Sequence, residues 1–139
     1  MLTRASKMSR KPPKPNKEIA VSWDKARARL IFEKMIPEKP GFYFVVIKKT
    51  GKVFYVGETK NLRERAKYIF KCYKNNPSPC CTNYKTAFGK FPKPENLCKK
   101  FFFKYGVTEG RMGRIEIEDY WKKHLGTNNK DFYQKKIKL

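Results

Sequence analysis

Acidic residues are scarce in this chain of 139 residues, which has 12 Asp and Glu against 34 Lys and Arg and a formal net charge of +22. A charge of this size concerns partners and association rates rather than the fold. Nucleic acid is the natural polyanionic partner, because each phosphate that a cation neutralises releases counterions. The shortage of acids therefore indicates a nucleic-acid-binding protein.

Long apolar runs are also missing. No segment reaches the roughly 18 apolar residues of a transmembrane helix, and no basic amphipathic helix is evident. The first residues are basic and lack the apolar stretch of a secretory signal. We therefore expect no membrane partner and an intracellular location, in the cytoplasm or nucleus, or in the host cytoplasm if the chain is phage-encoded.

Cysteine and histidine are few, with four cysteines and the single His124. An adjacent cysteine pair and irregular gaps do not match the spacing of zinc sites. In a reducing compartment free thiols that fill the core are expected, and no small-molecule cofactor is predicted. The cysteines are Cys72, Cys80, Cys81 and Cys98.

The length predicts one domain. Residues 1–17 carry six cations, three prolines and no acid, which predicts a flexible basic arm, either a solvated tail or a contact to DNA. An N-terminal helix is predicted within 18–36, capped by Ser22 and ended by the prolines that follow. Its candidate core contacts are Trp23, Leu30, Ile31 and Met35.

Two β-branched and aromatic runs, GFYFVVIKK and KVFYVG, flank a turn that contains Gly51. They predict an antiparallel hairpin. Gly57 frees the backbone at the strand exit, and Asn61 is a good N-cap. The following helix is predicted from Leu62 to about Tyr73, with apolar residues at helical spacing.

The rest of the chain predicts an irregular insertion at 75–98, with one short helix at 82–88, and a third strand at 99–107. A final helix is predicted from about Met112 to Leu125, ending at Gly126, followed by a weakly ordered basic tail at 130–139. The fold class is α/β (α+β), with a small, mainly antiparallel three-stranded sheet flanked by helices.

Hydroxyl and charged side chains suited to phosphodiester chemistry recur at the open end of the hairpin. Tyr43 and Tyr55 lie on neighbouring strands, although strand aromatics are often structural. Arg65 lies at the edge of the core-facing stripe of its helix, about 60° from Leu62. An arginine there can reach across the sheet towards the tyrosines.

Glu118 shares a helix face with apolar residues in RIEIEDYWKKHL, at the spacing of Ile115, Trp121 and Leu125. A carboxylate aimed at a core is costly unless it is paired or bound to a metal. We therefore predict Glu118 as a metal ligand, with an ion pair to Arg65 as the structural alternative.

Three sequence elements near the middle of the chain, and a further one near its end, resemble the GIY-YIG nuclease family. Gly41-Phe42-Tyr43 and Tyr55-Val56-Gly57 are separated by eleven residues, and Asn61-Leu62-Arg63-Glu64-Arg65 follows. Ile115-Glu116-Ile117-Glu118 and then Asn129, with Asn128 as the alternative, resemble the third motif. The resemblance covers 37–129 and is greatest to small phage-type endonucleases and to the incision domain of excision-repair nucleases.

This resemblance implies a metal-dependent DNA endonuclease. One of the two tyrosines would assist the attacking water, Arg65 would steady the phosphate, and Glu118 would hold a single Mg²⁺ or Mn²⁺. Double-strand cleavage would call for a homodimer or tetramer. The expected DNA contacts are Gly57, Lys60, Arg63, Lys67, Tyr68 and Asn129.

The third motif is one residue short and lacks the usual proline, and the chain departs from the family pattern in two further places. Glu58 follows the second triplet and would repel phosphate unless Lys60 or Arg63 neutralises it. The helix lacks the histidine of many members, and Tyr68 occupies that region. A catalytically silent nucleic-acid-binding protein of the same fold and a basic RNA-associated structural protein are the alternatives.

Overall fold

The structure, a computed structural model, describes residues 12–108 and 110–139. In chain order the elements are β1 (Lys17–Ile19), α1 (Lys25–Met35), β2 (Gly41–Ile47), β3 (Val53–Thr59), α2 (Leu62–Lys71), α3 (Pro79–Phe88), α4 (Pro94–Lys100), β4 (Phe101–Val107), α5 (Arg111–Leu125) and α6 (Lys130–Gln134). In this described part, no helix combines the length and hydropathy needed to cross a bilayer.

The sheet has four strands in the order β1-β4-β2-β3, and every pairing is antiparallel. The α/β class is confirmed, but the predicted count of three strands is wrong. The missed strand, β1, has only three residues and pairs with the outer edge of β4. So short and polar a segment carries no strand pattern of its own, and its conformation comes from the edge that it completes.

The predicted hairpin is confirmed as β2 and β3, with Gly51 at φ 72° in the turn. Side chains of β2 alternate between two cores, as the period of a strand requires. Tyr43 and Val45 enter the larger core, which α2 and α3 cover, whereas Phe44 enters a smaller one with Trp121 of α5. The sheet therefore lies between two layers of helices.

The N-terminal helix is shorter than predicted, and a different face of it is buried. Its N-cap is Asp24, whose Oδ1 accepts a hydrogen bond from Arg27 N at 2.9 Å, in place of Ser22. The buried positions are Phe32 and Ile36. Three of the four predicted core contacts are exposed instead: Trp23, Leu30 and Met35.

Residues 12–17 of the predicted arm lie against the domain, whereas 1–11 fall outside the described residues. Trp121 Nε1 donates a hydrogen bond to the Pro13 carbonyl at 3.1 Å, and Asn16 N donates to the Tyr105 carbonyl at 3.1 Å. The end of the arm is therefore part of the fold, because it supplies an acceptor and a strand that the domain uses.

The insertion and the tail are more regular than predicted. The insertion forms α3 and α4, and α4 includes Lys99, which was assigned to the third strand. The tail contains α6, whose buried Tyr133 donates a hydrogen bond to the Phe54 carbonyl at 2.6 Å. All four cysteines are buried with free thiols. Short polar helices were missed because packing, rather than intrinsic propensity, stabilises them.

Candidate active site

The two motif tyrosines lie together, with ring centroids 6.3 Å apart. Gly57 makes this arrangement possible, because a Cβ there would overlap the Tyr43 ring. Tyr43 faces Gly57 across the β2–β3 pair. The motif glycine therefore provides space for the motif tyrosine, and Gly57, predicted as a DNA contact, has a structural role.

Both phenols are held in their neutral form. Burial raises the pKa of Tyr43 well above its usual value of 10.0, the neighbouring Tyr55 adds to this, and Arg65 opposes it. Burial also raises the pKa of Tyr55, with further contributions from Cys80 and Glu118, again against Arg65. Arg65 favours the phenolate of both tyrosines, but desolvation outweighs its effect.

Arg65 reaches this site from α2. The helix begins where predicted, since Asn61 Oδ1 accepts a hydrogen bond from Glu64 N at 3.1 Å. Arg65 lies beside the Tyr43 hydroxyl, and its Cζ is 6.0 Å from the centre of the Tyr68 ring. It lines an open cleft of about 480 Å³ together with Glu58, Thr59, Lys60, Asn61, Glu64 and Tyr68.

Arg63 was expected to contact DNA, but it is used inside the protein. Its Nε donates to the Ile36 carbonyl at 2.9 Å and its Nη2 to the Glu33 carbonyl at 3.0 Å. Its Nη1 lies 2.6 Å from Glu38 Oε1. The guanidinium thus joins α2 to the end of α1, and each of its three nitrogens has a partner within the protein.

Glu118 lies on α5 with its side chain 17% exposed, and its Oε1 is 3.2 Å from Lys122 Nζ. Its cation is therefore Lys122, one turn along the helix, rather than Arg65. Burial raises the pKa of Glu118 above 4.5, Lys122 opposes this, and Glu58 adds to it. Glu118 also acts on Tyr55, which brings the four predicted catalytic residues into one electrostatic cluster.

Arg114 is a site residue that the sequence analysis missed. Its Nε lies 3.0 Å from Glu58 Oε2, and its side chain is 5% exposed. This pair neutralises Glu58, which was expected to need Lys60 or Arg63. The signal was present, because Arg114 precedes Glu118 by four residues and so lies on the same helix face.

The two candidate asparagines of the third motif both serve the backbone. Asn128 accepts a hydrogen bond from Val56 N at 3.1 Å and donates one to the Val56 carbonyl at 2.6 Å. It thereby fixes the strand next to Tyr55. Asn129, predicted as a DNA contact, caps α6 by accepting from Phe132 N at 2.8 Å. Of the two, Asn128 supports the tyrosine strand.

The remaining predicted DNA contacts lie on the surface near α2. Lys60 is exposed at the cleft. Lys67 Nζ lies 3.6 Å from Glu64 Oε1 and is partly exposed. Tyr68 donates its hydroxyl to the Pro77 carbonyl at 3.0 Å, which leaves one face of the ring near Arg65.

The donor chemistry at Glu118 fits a hard divalent cation. Mg²⁺ is commonly held by one or two carboxylates, with waters and substrate phosphates completing its shell. In residues 12–108 and 110–139, no group of three or more His, Cys, Asp or Glu side chains could hold a metal ion. Glu118 fits a site of the Mg²⁺ kind, because a partly buried carboxylate with a raised pKa is stabilised by an added cation.

No protein-family model matches the chain, and no curated protein matches it. Solved structures of the GIY-YIG N-terminal endonuclease domain of UvrC from Thermotoga maritima are similar to it. The magnesium-bound domain is 16% identical over 75% of this chain and 94% of that one, with a TM-score of 0.44. A point mutant bound to its catalytic divalent cation is 17% identical over 76% and 94%, with the same TM-score. These domains carry the name of the family that the sequence motifs resemble.

Proposed function

We propose that this protein is a metal-dependent DNA endonuclease that hydrolyses phosphodiester bonds. The observation that carries the proposal is the meeting of four residues from distant parts of the chain. Tyr43, Tyr55, Arg65 and Glu118 come from two strands and two helices. Tyr55 raises the pKa of Tyr43, Glu118 raises that of Tyr55, and Arg65 opposes both shifts. Shifted pKa values in several neighbouring groups are typical of catalytic sites.

The proposed roles follow from burial and charge. Tyr55, at 9% exposure, lies nearer the surface than Tyr43, at 1%. A neutral phenol can accept a hydrogen bond from the attacking water through an oxygen lone pair, so Tyr55 orients that water without ionising. Tyr43 holds Arg65, whose planar guanidinium donates to phosphate oxygens in a fixed geometry.

Glu118 would hold the divalent cation, Mg²⁺ or Mn²⁺. When bound, such an ion stabilises charge on the phosphate and lowers the pKa of water. Glu118 must give up its contact with Lys122, whose side chain is 33% exposed and so has room to move into solvent. Arg114 meanwhile keeps Glu58 neutralised, so that a second bare acid does not face the phosphate.

Incubation of the protein with supercoiled plasmid tests the proposal. Nicked or linear DNA should appear with Mg²⁺ and not with a chelator. A preparation of Glu118→Gln, purified in parallel, controls for contaminating nucleases. Linear product formed before nicked product would indicate that a homodimer or tetramer cuts both strands.

A catalytically silent nucleic-acid-binding protein is the second candidate. The buried, neutral phenols and the existing Glu118–Lys122 pair favour it, because a neutral phenol is a poor base and Glu118 already has a cation partner. The plasmid experiment separates the two functions. DNA binding without cleavage, in Mg²⁺ and in Mn²⁺, would support the silent protein and overturn the nuclease.

A further inference from the structure

A groove between α1, α2 and α4 lies on the other side of α2 from the candidate active site. It encloses about 600 Å³, which is the size of a small-molecule pocket. Its floor includes the buried rings of Phe32 and Phe70. At its edge lies Trp23, which is 55% exposed although the sequence predicts it in the core. A large indole left in water beside an apolar cavity is a surface suited to another planar group.

Cations surround this groove. Four line it, two from the α1 side and two from α2: Lys25, Arg29, Lys67 and Lys71. The one acid in the lining is Glu33, and Arg29 Nε lies 3.1 Å from its Oε1. The lining therefore complements an anionic ligand that also has an apolar, planar part. Nucleotides have both properties, whereas a peptide of Asp and Glu alone has only the charge.

The helix α2 connects the groove to the candidate active site. Arg65 and Tyr68 line the cleft, and Lys67, Phe70 and Lys71 line the groove. From Arg65 to Lys71 the helix rises by about 9 Å. At about 3.4 Å per nucleotide of one duplex strand, that rise corresponds to roughly three nucleotides. A DNA strand that contacts Arg65 can thus extend along α2 to Lys71, which lines the groove.

We propose that this groove binds an unpaired nucleobase of the DNA substrate, stacked on Trp23 and flanked by phosphates held by Lys25, Lys67 and Lys71. Aromatic stacking with cations beside it is the common mode of single-strand binding. A base inside a duplex has no exposed face to stack, so the groove selects DNA with an extrahelical or single-stranded nucleotide. The assignment of DNA as the substrate rests on the proposed function.

Tryptophan fluorescence measures the stacking directly. The protein has two tryptophans, Trp23 and the 2% exposed Trp121, so a change on binding reports mainly on Trp23. Titration with a short oligothymidylate, in chelator to prevent cleavage, should quench the emission. Trp23→Ala should weaken this binding by about 5- to 150-fold, measured by anisotropy of a labelled oligonucleotide, while Trp23→Phe should retain most of it.

Leu30→Ala is the matched control, because Leu30 is 57% exposed on α1, the helix that follows Trp23, and does not line the groove. It should bind oligothymidylate as the unmodified protein does. Circular dichroism should show that both alanine variants are folded. Lys71→Ala should reduce the slope of log affinity against log salt by about one.

Binding of two DNA duplexes and of polyglutamate tests the identity of the occupant. A duplex with one extrahelical thymidine should lose affinity with Trp23→Ala, whereas the fully paired duplex should not. Equal effects on both duplexes would overturn the proposal, as would equal quenching by polyglutamate. These measurements do not depend on cleavage. A negative result for the groove therefore does not contradict the proposed nuclease activity, and a protein that does not cleave DNA can still bind a base in the groove.

Discussion

The two sides of α2 differ in where they keep their charges. Towards the tyrosines, burial raises the pKa values of Tyr43, Tyr55 and Glu118. Towards Trp23, the charges are cations at the rim of an open groove. Desolvated groups gain electrostatic strength, whereas exposed cations contribute affinity that salt screens. We infer that one side performs the reaction and the other holds the substrate.

The same contrast appears between two arginines on α2. Arg63 donates to two carbonyls and a carboxylate and links α2 to α1. Arg65, two residues later, faces the Tyr43 hydroxyl and the open cleft. Their charges are identical, so the neighbours alone decide that one arginine is structural and the other is available to a phosphate.

The largest effect is expected from Glu118→Gln, which should abolish Mg²⁺-dependent nicking and leave DNA binding nearly unchanged. The amide keeps the shape of the side chain but loses the charge that a cation requires. The measurements are plasmid nicking and filter binding. Glu116→Gln, on another face of α5, is the control, and near-normal nicking by Glu118→Gln would remove this residue from the mechanism.

Arg65→Ala should lower the cleavage rate by a factor on the order of 10²–10³, the usual loss for one transition-state stabiliser. Affinity should fall only slightly, since many other cations remain. Single-turnover cleavage at saturating protein measures the rate. Arg63→Ala should instead lower the free energy of unfolding by about 1.5–3 kcal/mol. If Arg65→Ala lost binding while bound DNA was cut normally, Arg65 would be an anchor.

Tyr55→Phe should lower turnover by roughly 10²-fold, the loss that misplacement of a reacting group can cause, because the attacking water loses the hydroxyl that orients it. Each Tyr→Phe change removes only a hydroxyl, so both variants should fold, and Tyr43→Phe should reduce turnover through the position of Arg65. Single-turnover rates and thermal melting measure the two effects. Full activity in both variants would return the pair to a purely structural role.

The requirement for Mg²⁺ should rise as the pH falls through the pKa of Glu118, at a midpoint above the ordinary value of 4.5. Protonation removes the ligand charge, and burial makes protonation easier. Because the pKa is higher in the folded state, metal-free stability should fall, not rise, as the pH increases through it. The Mg²⁺ concentration that gives half-maximal cleavage, measured across this pH range, checks the direction of the change. A midpoint below pH 4.5 would contradict the prediction.

The smallest effect on chemistry is expected from deletion of residues 1–11. Each lost phosphate contact should make the slope of log affinity against log salt shallower by roughly 0.9, while cutting at saturating protein stays near normal. A truncated chain that begins at Glu18 should in addition have a less stable fold, because it lacks Pro13, Asn16 and Lys17. An unchanged salt slope would make residues 1–11 a solvated tail.

Strong local signals made the hairpin and the helix after it predictable. The strand runs, the Gly51 turn and the Asn61 cap each favour one local structure, and the structure agrees at all three. The segments whose structure was predicted wrongly depend on contacts with distant parts of the chain. The three-residue strand β1 needs the edge of β4, and α6 needs the packing of Tyr133 on β3. Neither requirement is visible in a local pattern.

By itself the sequence determined the positive charge, the alternating faces of β2 and β3, and the residue types of the candidate site, because composition, period and motif spacing are local properties. The tertiary structure decided the partners. Only packing could partly bury Glu118, place Arg114 on Glu58 and leave Trp23 in solvent. Ion pairs and burial depend on distances between elements, and those distances exist only once the helices have packed on the sheet.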